Sequence, residues 1–204
     1  MTLSFPEQFY LQETLIVAQG LLGATLTTNI DDDDGYRGSC SGLIVEVEAY
    51  TQQDQASHSF RGITKRNNAM FERGGTIYVY QSYGIHACLN VVTEEKGIGS
   101  AVLIRALQPL TGIETMRRRR GIHNNDIQLT NGPGKLTQAM GITLSLNGEN
   151  LSHSTAIQIV PRSHEANPQI IDQIAHSGRI GITKGTELPW RFFLRKNPWV
   201  SRNR

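Results

Sequence analysis

The alternation of apolar and acidic residues in one segment, Val45-Glu-Val-Glu-Ala-Tyr50, constrains the fold of this chain most. Successive side chains of a β-strand point to opposite faces, so Glu46, Glu48 and Tyr50 would share one face and the apolar residues the other. The segment therefore predicts a strand that is covered on its apolar face and carries two carboxylates and an aromatic ring on the other.

A second segment with the same alternation, Tyr78-Val-Tyr-Gln-Ser-Tyr83-Gly84, predicts a second strand. Tyr78 and Tyr80 lie on one face of it, and strand tyrosines commonly only pack across the sheet. Tyr83 differs because it precedes Gly84, where the strand is expected to turn. A tyrosine that projects from a turn beside basic loops can wedge between stacked bases.

Length and composition indicate one globular domain. The chain has 204 residues, of which 38% are hydrophobic and 19% charged. No apolar run is long enough to cross a membrane, and the N-terminus lacks the features of a secretion signal. Cys40 and Cys88 show no C-x-x-C spacing and are expected to be buried thiols in a reducing compartment. We therefore expect a cytoplasmic protein without membrane contact.

The residue patterns predict neither a metal site nor a cofactor. The six histidines show no H-x-x-H or H-x-x-x-H spacing, so zinc is not expected. The acidic run at 31–34 predicts an exposed hairpin tip, because no glutamate closes a calcium loop there. The helix start at Gly132-Pro-Gly-Lys135 suits an anion, although its spacing is not that of a P-loop.

Positive charge is concentrated in one part of the chain. The net charge is only +2, but residues 61–120 contain ten Lys or Arg against four Asp or Glu. Such a balance suits a surface that meets a polyanion. A solvated helix end at the four arginines 117–120 explains the charge equally well.

Strands outnumber helices among the predicted elements. Thr111 and Glu114 have the spacing of a capping box at the start of the clearest helix, and Gly121 suits its end. The strand at 101–107 is expected to be buried except for Arg105. The helices are predicted at 6–22, 112–120 and 132–140, and the strands at 24–28, 37–50, 76–83, 85–92, 101–107, 157–160, 178–183 and 190–194.

The connections between these strands are too short for a series of parallel crossovers. We therefore expect an α+β fold. Residues 1–204 would form a single domain with a curved, largely antiparallel β-sheet, partly barrel-like and flanked by helices.

Glu48 is the sharpest candidate for chemistry. A glutamate on a covered strand must be paired, hydrogen-bonded or functional, because an isolated buried carboxylate is costly. A structural ion pair with Arg105 or Arg37 explains it as well as a catalytic role does. Glu46 shares its face, and parity does not decide between the two. Asn90, within an apolar run, is either a structural hydrogen-bond hub or a reader of base edges.

Taken together, these segments resemble the alkyladenine DNA glycosylase family, also called the 3-methyladenine or methylpurine DNA glycosylases. The likeness covers nearly the whole chain in order, and the ordered set is specific although no single motif is diagnostic. The matching segments are Val45-Glu-Val-Glu-Ala-Tyr50, Ala56-Ser-His-Ser59, Arg66-Asn-x-x-Met-Phe71, Gly75-Thr-Ile-Tyr-Val-Tyr80, Tyr83-Gly84, Cys88-Leu-Asn90, Leu103-Ile-Arg-Ala-Leu107, Gly112-Ile-Glu-Thr-Met-Arg117, Gly132-Pro-Gly-Lys-Leu136 and Asn197-Pro-Trp-Val-Ser201.

The resemblance implies a monofunctional base-excision repair enzyme that cuts the N-glycosidic bond of alkylated or deaminated purines flipped out of duplex DNA. Glu48 would be the general base for the attacking water, and Arg105 would help to hold that water. Tyr50 would stack on one face of the extruded base, with His58 and Tyr80 against the other.

Three further roles follow from the same resemblance. Asn90 would screen out the exocyclic amine of guanine, Tyr83 would fill the gap left in the duplex, and the backbone carbonyl of Ile182 would help to place the water. The implied partner is double-stranded DNA with damaged purines, bound by a monomer in the nucleoid of a prokaryote-like cell, and no cofactor is implied.

The physical chemistry agrees with these roles. A purine inside a duplex is out of reach, so it must be swung out at a cost of a few kcal/mol. Stacking on aromatic rings stabilises the extruded base by ~1–3 kcal/mol. A cationic base such as 3-methyladenine also gains a cation–π attraction to the rings. No lysine lies near Glu48 in the sequence to form a Schiff base, so strand cleavage by the enzyme is not expected.

Three other functions compete with this one. The first is a catalytically weak module of the same fold that only binds damaged DNA, which would not need Glu48 together with Arg105. The second is a sugar hydrolase that uses Glu46 and Glu48 as paired acids ~7 Å apart, although basic loops would serve no purpose there. The third is a formyl-transferring domain of similar shape, for which no cofactor motif is seen.

Overall fold

The computed structural model describes residues 4–32, 37–162 and 173–201. Its helices are α1 (Glu7–Tyr10), α2 (Thr14–Leu21), α3 (Ile113–Arg120), α4 (Ile127–Thr130) and α5 (Pro133–Met140), with short 3₁₀ turns at Asn68–Phe71 and Leu144–Leu146. Its strands are β1 (Thr25–Asp31), β2 (Arg37–Tyr50), β3 (Ile77–Ser82), β4 (His86–Val92), β5 (Ala101–Thr111), β6 (Ile157–Val160), β7 (Ile174–Ser177) and β8 (Arg191–Leu194).

All eight of the described strands join one antiparallel sheet in the order β3-β4-β5-β2-β1-β6, with β8 between β2 and β7. One edge of β2 pairs with β5, whereas the other pairs first with β1 and then, at Glu46–Glu48, with β8. A strand that changes partner must bend, and register irregularities on both sides of Glu46 supply the bend. The sheet therefore curls into a half-barrel, and the α+β prediction is confirmed.

The apolar faces of the strands and helices meet in one main core. Val45, Val47 and Ala49 of β2 are fully buried there, as their parity predicted. Helix α2 packs on β2, and α5 packs on β4 and β5. The rings of Tyr50 and Tyr80 instead pack against a smaller second cluster. The members of that cluster are Ala69, Met70, Phe71, Tyr78, Val92 and Ala101.

The N-terminal helix predicted at 6–22 is in fact two helices. The helical ladder is interrupted because the Tyr10 carbonyl accepts a 2.9 Å hydrogen bond from the backbone N–H of Glu94. Ile16, an apolar residue of α2, is 49% exposed. No described helix is long and apolar enough to span a bilayer. Cys40 and Cys88 are both buried free thiols, as predicted.

The capping box predicted at the start of α3 is wrong. Thr111 is still part of β5, and its hydroxyl lies 2.7 Å from that of Ser41. Gly112 takes the N-cap position in a left-handed conformation, and Glu114 pairs with Arg117 instead. The predicted C-terminal cap is confirmed, since Gly121 is left-handed and its N–H reaches the last carbonyls of the helix.

The strand predicted at 178–183 is also wrong. The chain forms β7 just before it, and 178–183 is a loop whose polar groups bond to other parts of the fold. In that loop the N–H of Ile180 donates to a glutamate side chain and Arg179 pairs with an aspartate, so neither joins a ladder. Residues 33 and 34 of the acidic hairpin tip predicted at 31–34 lie outside the described residues.

Candidate active site

A cavity of about 570 Å³ opens between the end of β2, the β3–β4 hairpin and the loop at 180–184. Its volume falls within the ~300–1,000 Å³ typical of small-molecule sites. Most of the residues that the sequence singled out line it. They are Tyr50, His58, Tyr80, Tyr83, Asn90, Arg105 and Ile182.

Aromatic side chains form one wall of this cavity. The ring of His58 stands edge-on to that of Tyr80, with 4.5 Å between the centroids, and Tyr80 lies 5.5 Å from Tyr78. His58 Nδ1 is 3.0 Å from the Tyr78 hydroxyl. Burial lowers the pKa of His58, and the nearby charge of Arg66 acts in the same direction. The imidazole is therefore neutral near pH 7 and can pair with the Tyr78 hydroxyl.

Tyr50 lines the same cavity, and a buried cation lies over its ring. The guanidinium carbon of Arg179 lies 4.6 Å from the centroid of the Tyr50 ring. Arg179 is itself fixed by a bidentate ion pair with the equally buried Asp54 and by a 2.9 Å hydrogen bond to the Ala49 carbonyl. With one face covered in this way, the ring presents its other face to the cavity.

Glu48 lies directly behind the cavity and is fully buried. Its Oε1 accepts a 2.8 Å hydrogen bond from the Ile180 backbone N–H. Its Oε2 accepts bonds from the Tyr50 hydroxyl at 2.8 Å and from Arg105 Nη1 at 3.2 Å. All three donor residues line the cavity, although Glu48 itself contributes nothing to the lining. A carboxylate has about four acceptor positions, so one remains for a further donor.

Arg105 joins the two glutamates that parity placed on one face. Its Nε donates to Glu46 Oε1 at 3.2 Å while its Nη1 reaches Glu48. The prediction that Arg105 is exposed is wrong, since only 7% of it is accessible. Burial works against its charge, but the carboxylates of Glu48 and Glu46 outweigh that effect and raise the pKa of Arg105. The side chain of Arg37, the other suggested partner, lies outside the described part.

Glu46 takes no part in the cavity lining. Its carboxylate is fully buried and bound by Arg105, Arg191 and Ser201. The two glutamates are therefore not a pair of acids that flank one substrate bond, as the sugar-hydrolase alternative requires.

Asn90 is held so that its amide oxygen can meet the cavity. Its Nδ2 donates to the carbonyls of Tyr78 at 3.0 Å and Cys88 at 3.3 Å. Because two acceptors fix the position of the NH₂ group, the amide cannot flip without breaking both bonds. Asn90 is thus a hydrogen-bond hub and a cavity residue at once.

Tyr83 projects from the tip of the β3–β4 hairpin beside the cavity entrance. Its side chain is 88% exposed, and that of Ile85 is 73% exposed. Tyr83 and Gly84 both have positive φ angles, of 51° and 70°, and Ile85 N–H closes the turn on the Ser82 carbonyl at 3.1 Å. A left-handed tyrosine costs roughly 1–2 kcal/mol, which the hairpin must offset.

Among the residues that the structure describes, the charged side chains that line the cavity are all basic. They are Arg66, Arg105 and Lys184. The sequence pattern placed Arg66 in a basic region and in one of the matching segments without giving it a role. It gave no sign of Lys184, which comes to the cavity from far along the chain. The basic region as a whole is a weaker anion surface than its composition suggests, because several of its arginines are ion-paired. The paired ones include Arg73, Arg117, Arg118 and Arg119.

The sequence also missed the supports behind the cavity. Asp54 and Arg179 lie 125 residues apart, and the Ile180 donor is a backbone group, so no side-chain pattern marks either contact. Within the described ranges, no group of three or more His, Cys, Asp or Glu side chains is arranged to hold a metal ion.

Comparison with known proteins decides the family. A profile described as Methylpurine-DNA glycosylase (MPG) matches residues 8–198. The chain belongs to the methylpurine-DNA glycosylase family. This is the family that the ordered motifs resembled, so that prediction is confirmed.

Individual relatives agree with the methylpurine-DNA glycosylase profile. A protein of Methanoculleus marisnigri is 45% identical over 201 residues, which cover 98% of this chain and 100% of that protein. A protein of Chlorobium phaeobacteroides is 46% identical, with 96% and 94% covered, and one of Rhodopseudomonas palustris is 48% identical, with 95% and 88% covered. Each carries the name "Putative 3-methyladenine DNA glycosylase".

Proposed function

We propose that this chain hydrolyses the N-glycosidic bond of alkylated or deaminated purines, of the 3-methyladenine class, flipped out of duplex DNA, and so initiates base excision repair. The observation that carries the proposal is the position of Glu48. A buried carboxylate lies behind an aromatic cavity and is held there by three groups of the cavity lining.

Glu48 acts as the general base in this proposal. A water that occupies the remaining acceptor position of its carboxylate is polarised for attack on the anomeric carbon. The negative charge also stabilises the positive sugar that forms as the bond breaks. Arg105 and the backbone at Ile182 help to hold the water, in keeping with their places in the cavity lining. A cationic base is already a good leaving group and needs no separate acid.

The aromatic residues bind the extruded base. Tyr50 stacks on one face, and His58 with Tyr80 contacts the other. Stacking supplies ~1–3 kcal/mol per base and tolerates different ring systems. Arg66 and Lys184, two of the three basic residues named at the cavity, suit the phosphates on either side of the extruded nucleotide.

Asn90 excludes guanine by bulk in this proposal. Its NH₂ group is held by two backbone carbonyls, so the amide oxygen is the polar atom left for the base. An oxygen would accept a bond from the guanine amine if there were room for it. Exclusion therefore depends on the fixed position of Asn90 and not on charge.

Tyr83 fills the gap that the extruded nucleotide leaves. Its exposed ring at the hairpin tip is suited to insertion between base pairs, at a cost in unstacking of a few kcal/mol. We further propose that the chain acts as a monomer on nucleoid DNA in the cytoplasm, where its substrate is found.

The alternative is a module that only binds damaged DNA. It is favoured by one observation, that Glu48 has no exposed surface in the cavity. Such a module would retain the aromatic cavity and Tyr83 but would release no base.

Duplex oligonucleotides that each carry one defined damaged purine test the proposal. After incubation with the protein, hot alkali breaks the strand wherever a base has been removed. We expect breaks at damaged purines only after alkali. Breaks without alkali would contradict the monofunctional mechanism and point to Lys184. Lesion binding without any breaks would favour the binding module.

A further inference from the structure

Glu46 has no part in the mechanism above, yet its carboxylate accepts more hydrogen bonds than that of Glu48. Glu46 accepts hydrogen bonds from Arg191 Nε at 2.7 Å and from Arg105 Nε at 3.2 Å. Ser201 adds its backbone N–H at 2.7 Å and its hydroxyl at 2.6 Å. Hydrogen bonds to a charged acceptor are stronger than those between neutral groups, so the carboxylate is held firmly in place.

Ser201 reaches Glu46 because the segment 197–201 is attached to the sheet. Asn197 Nδ2 donates to Gln108 Oε1 in β5 at 2.8 Å, and the Val200 N–H donates to the Asn197 carbonyl at 3.2 Å. The carbonyl of Ser201 in turn accepts a 2.8 Å bond from Arg191 Nη2. Ser201 therefore binds both members of the Glu46–Arg191 ion pair.

This network divides the guanidinium of Arg105 between two carboxylates. Arg105 gives Nε to Glu46 and Nη1 to Glu48, one nitrogen to each. An arginine beside a single carboxylate favours a bidentate pair with two parallel bonds. If Glu46 did not hold Nε, Arg105 could rotate so that two of its guanidinium nitrogens donate to Glu48. The last acceptor position of Glu48 would then be taken.

We propose that Glu46, held by Ser201 and Arg191, is a positioning residue that keeps Arg105 from forming a bidentate pair with Glu48. The inference depends on the proposed function, because it concerns the acceptor position that Glu48 offers to water. It makes the segment 197–201 a part of the active-site structure, although none of its residues lines the cavity.

Two substitutions test the proposal by single-turnover base release from lesion duplex. Ser201→Ala removes the hydroxyl but keeps the N–H, and it should slow release about tenfold. Glu46→Gln should slow release further, about a hundredfold. Both variants should bind lesion duplex within about twofold of the unsubstituted chain, because neither residue lines the cavity. Ser201→Thr, which restores a hydroxyl, should restore the rate.

A double-mutant cycle separates positioning from general destabilisation. If Glu46 acts through Arg105, then Glu46→Gln should slow release much less in an Arg105→Lys background than in the unsubstituted chain. The reason is that lysine has a single nitrogen and cannot form a bidentate pair with Glu48. Thr28→Val is the matched control, because it removes a buried hydroxyl that donates 2.8 Å to the Met140 carbonyl away from the cavity. It should lower the free energy of unfolding and leave the release rate unchanged.

The possible failures can be told apart. Wild-type release rates in Ser201→Ala and Glu46→Gln, or fully additive losses in the cycle, would overturn the positioning role and leave the proposed function intact. Absence of base release by the unsubstituted chain would overturn both.

Discussion

The hydroxyl of Tyr50 donates a 2.8 Å hydrogen bond to Oε2 of Glu48. The two residues are neighbours on the same face of β2, and their link means that one side chain serves two purposes. Its ring offers a face to the cavity while its oxygen holds the carboxylate behind the cavity. In the proposed mechanism, the ring that stacks on the base and the carboxylate that activates the water are thus fixed relative to each other.

Tyr50→Phe separates these two purposes. The ring remains, so the affinity for lesion duplex should stay within about twofold. The variant loses a hydrogen bond to the charged Glu48, which is worth ~1.5–3 kcal/mol, and the carboxylate is then held less firmly. Single-turnover base release should therefore fall at least about tenfold. Equal losses of affinity and release rate would show that the hydroxyl does not act through Glu48.

Tyr83→Ala should weaken binding of lesion duplex without altering the choice of lesion. The side chain is 88% exposed, so the free energy of unfolding should change by less than about 0.5 kcal/mol. Leu144→Ala, another exposed apolar residue, is the control and should leave binding unchanged. An altered order of lesion preference in Tyr83→Ala would place its ring against the extruded base instead of in the duplex.

The stability of the protein should depend on the ionisation of Tyr78 in alkali. Burial raises the pKa of Tyr78 to about 12 from its ordinary value of 10, although Arg66 partly opposes the shift. The folded state therefore holds this proton more tightly, and the resulting stability is present below about pH 10 and lost as the pH rises towards about 12.

Tyr78→Phe removes this dependence on pH. The free energy of unfolding, measured in urea, should fall between about pH 9 and about pH 11 in both proteins. The fall should be about 1 kcal/mol smaller in the variant than in the unsubstituted chain. Tyr50 and Tyr80 also have raised pKa values and contribute a decrease common to both proteins. The same decrease in both proteins would show that Tyr78 titrates alike in the folded and unfolded states.

Arg179→Met should destabilise the fold strongly. It leaves the carboxylate of Asp54 buried without its bidentate partner, which typically costs about 3–5 kcal/mol. Arg73→Met is the matched control, because Arg73 pairs with Glu7 and Glu95 at the surface, and its loss should change the free energy of unfolding little. Similar effects of the two substitutions on urea unfolding would show that the buried Asp54–Arg179 pair matters no more to stability than a surface pair.

Local pattern predicted several elements whose structure depends on neighbours in the sequence. The parity of β2 and β3, the helix that opens at Pro133 and the left-handed glycine at 121 were all evident in this way. The segment at 178–183 shows the limit of such pattern. Its alternating isoleucines mimic a strand, but Arg179 and Ile180 are bound by Asp54 and Glu48.

Long-range polar contacts account for most of what the sequence did not reveal about the site. Ser201 meets Glu46 across 155 residues, and Lys184 comes to the cavity from a segment with no charge pattern of its own. Arg105 was expected at the surface because a charged residue in an apolar strand is costly to bury. It is buried because two carboxylates meet it where the register between β2 and β5 is irregular.

The most direct test of the account is Glu48→Gln, measured for lesion binding and for single-turnover base release on the same duplex. Glutamine keeps the size of the side chain but cannot act as a base, so release should fall about 100- to 10,000-fold while affinity is retained. Glu114→Gln, at an exposed residue of α3, should behave like the unsubstituted chain. Release by Glu48→Gln within a few-fold of the unsubstituted rate would contradict the central claim that Glu48 activates the water.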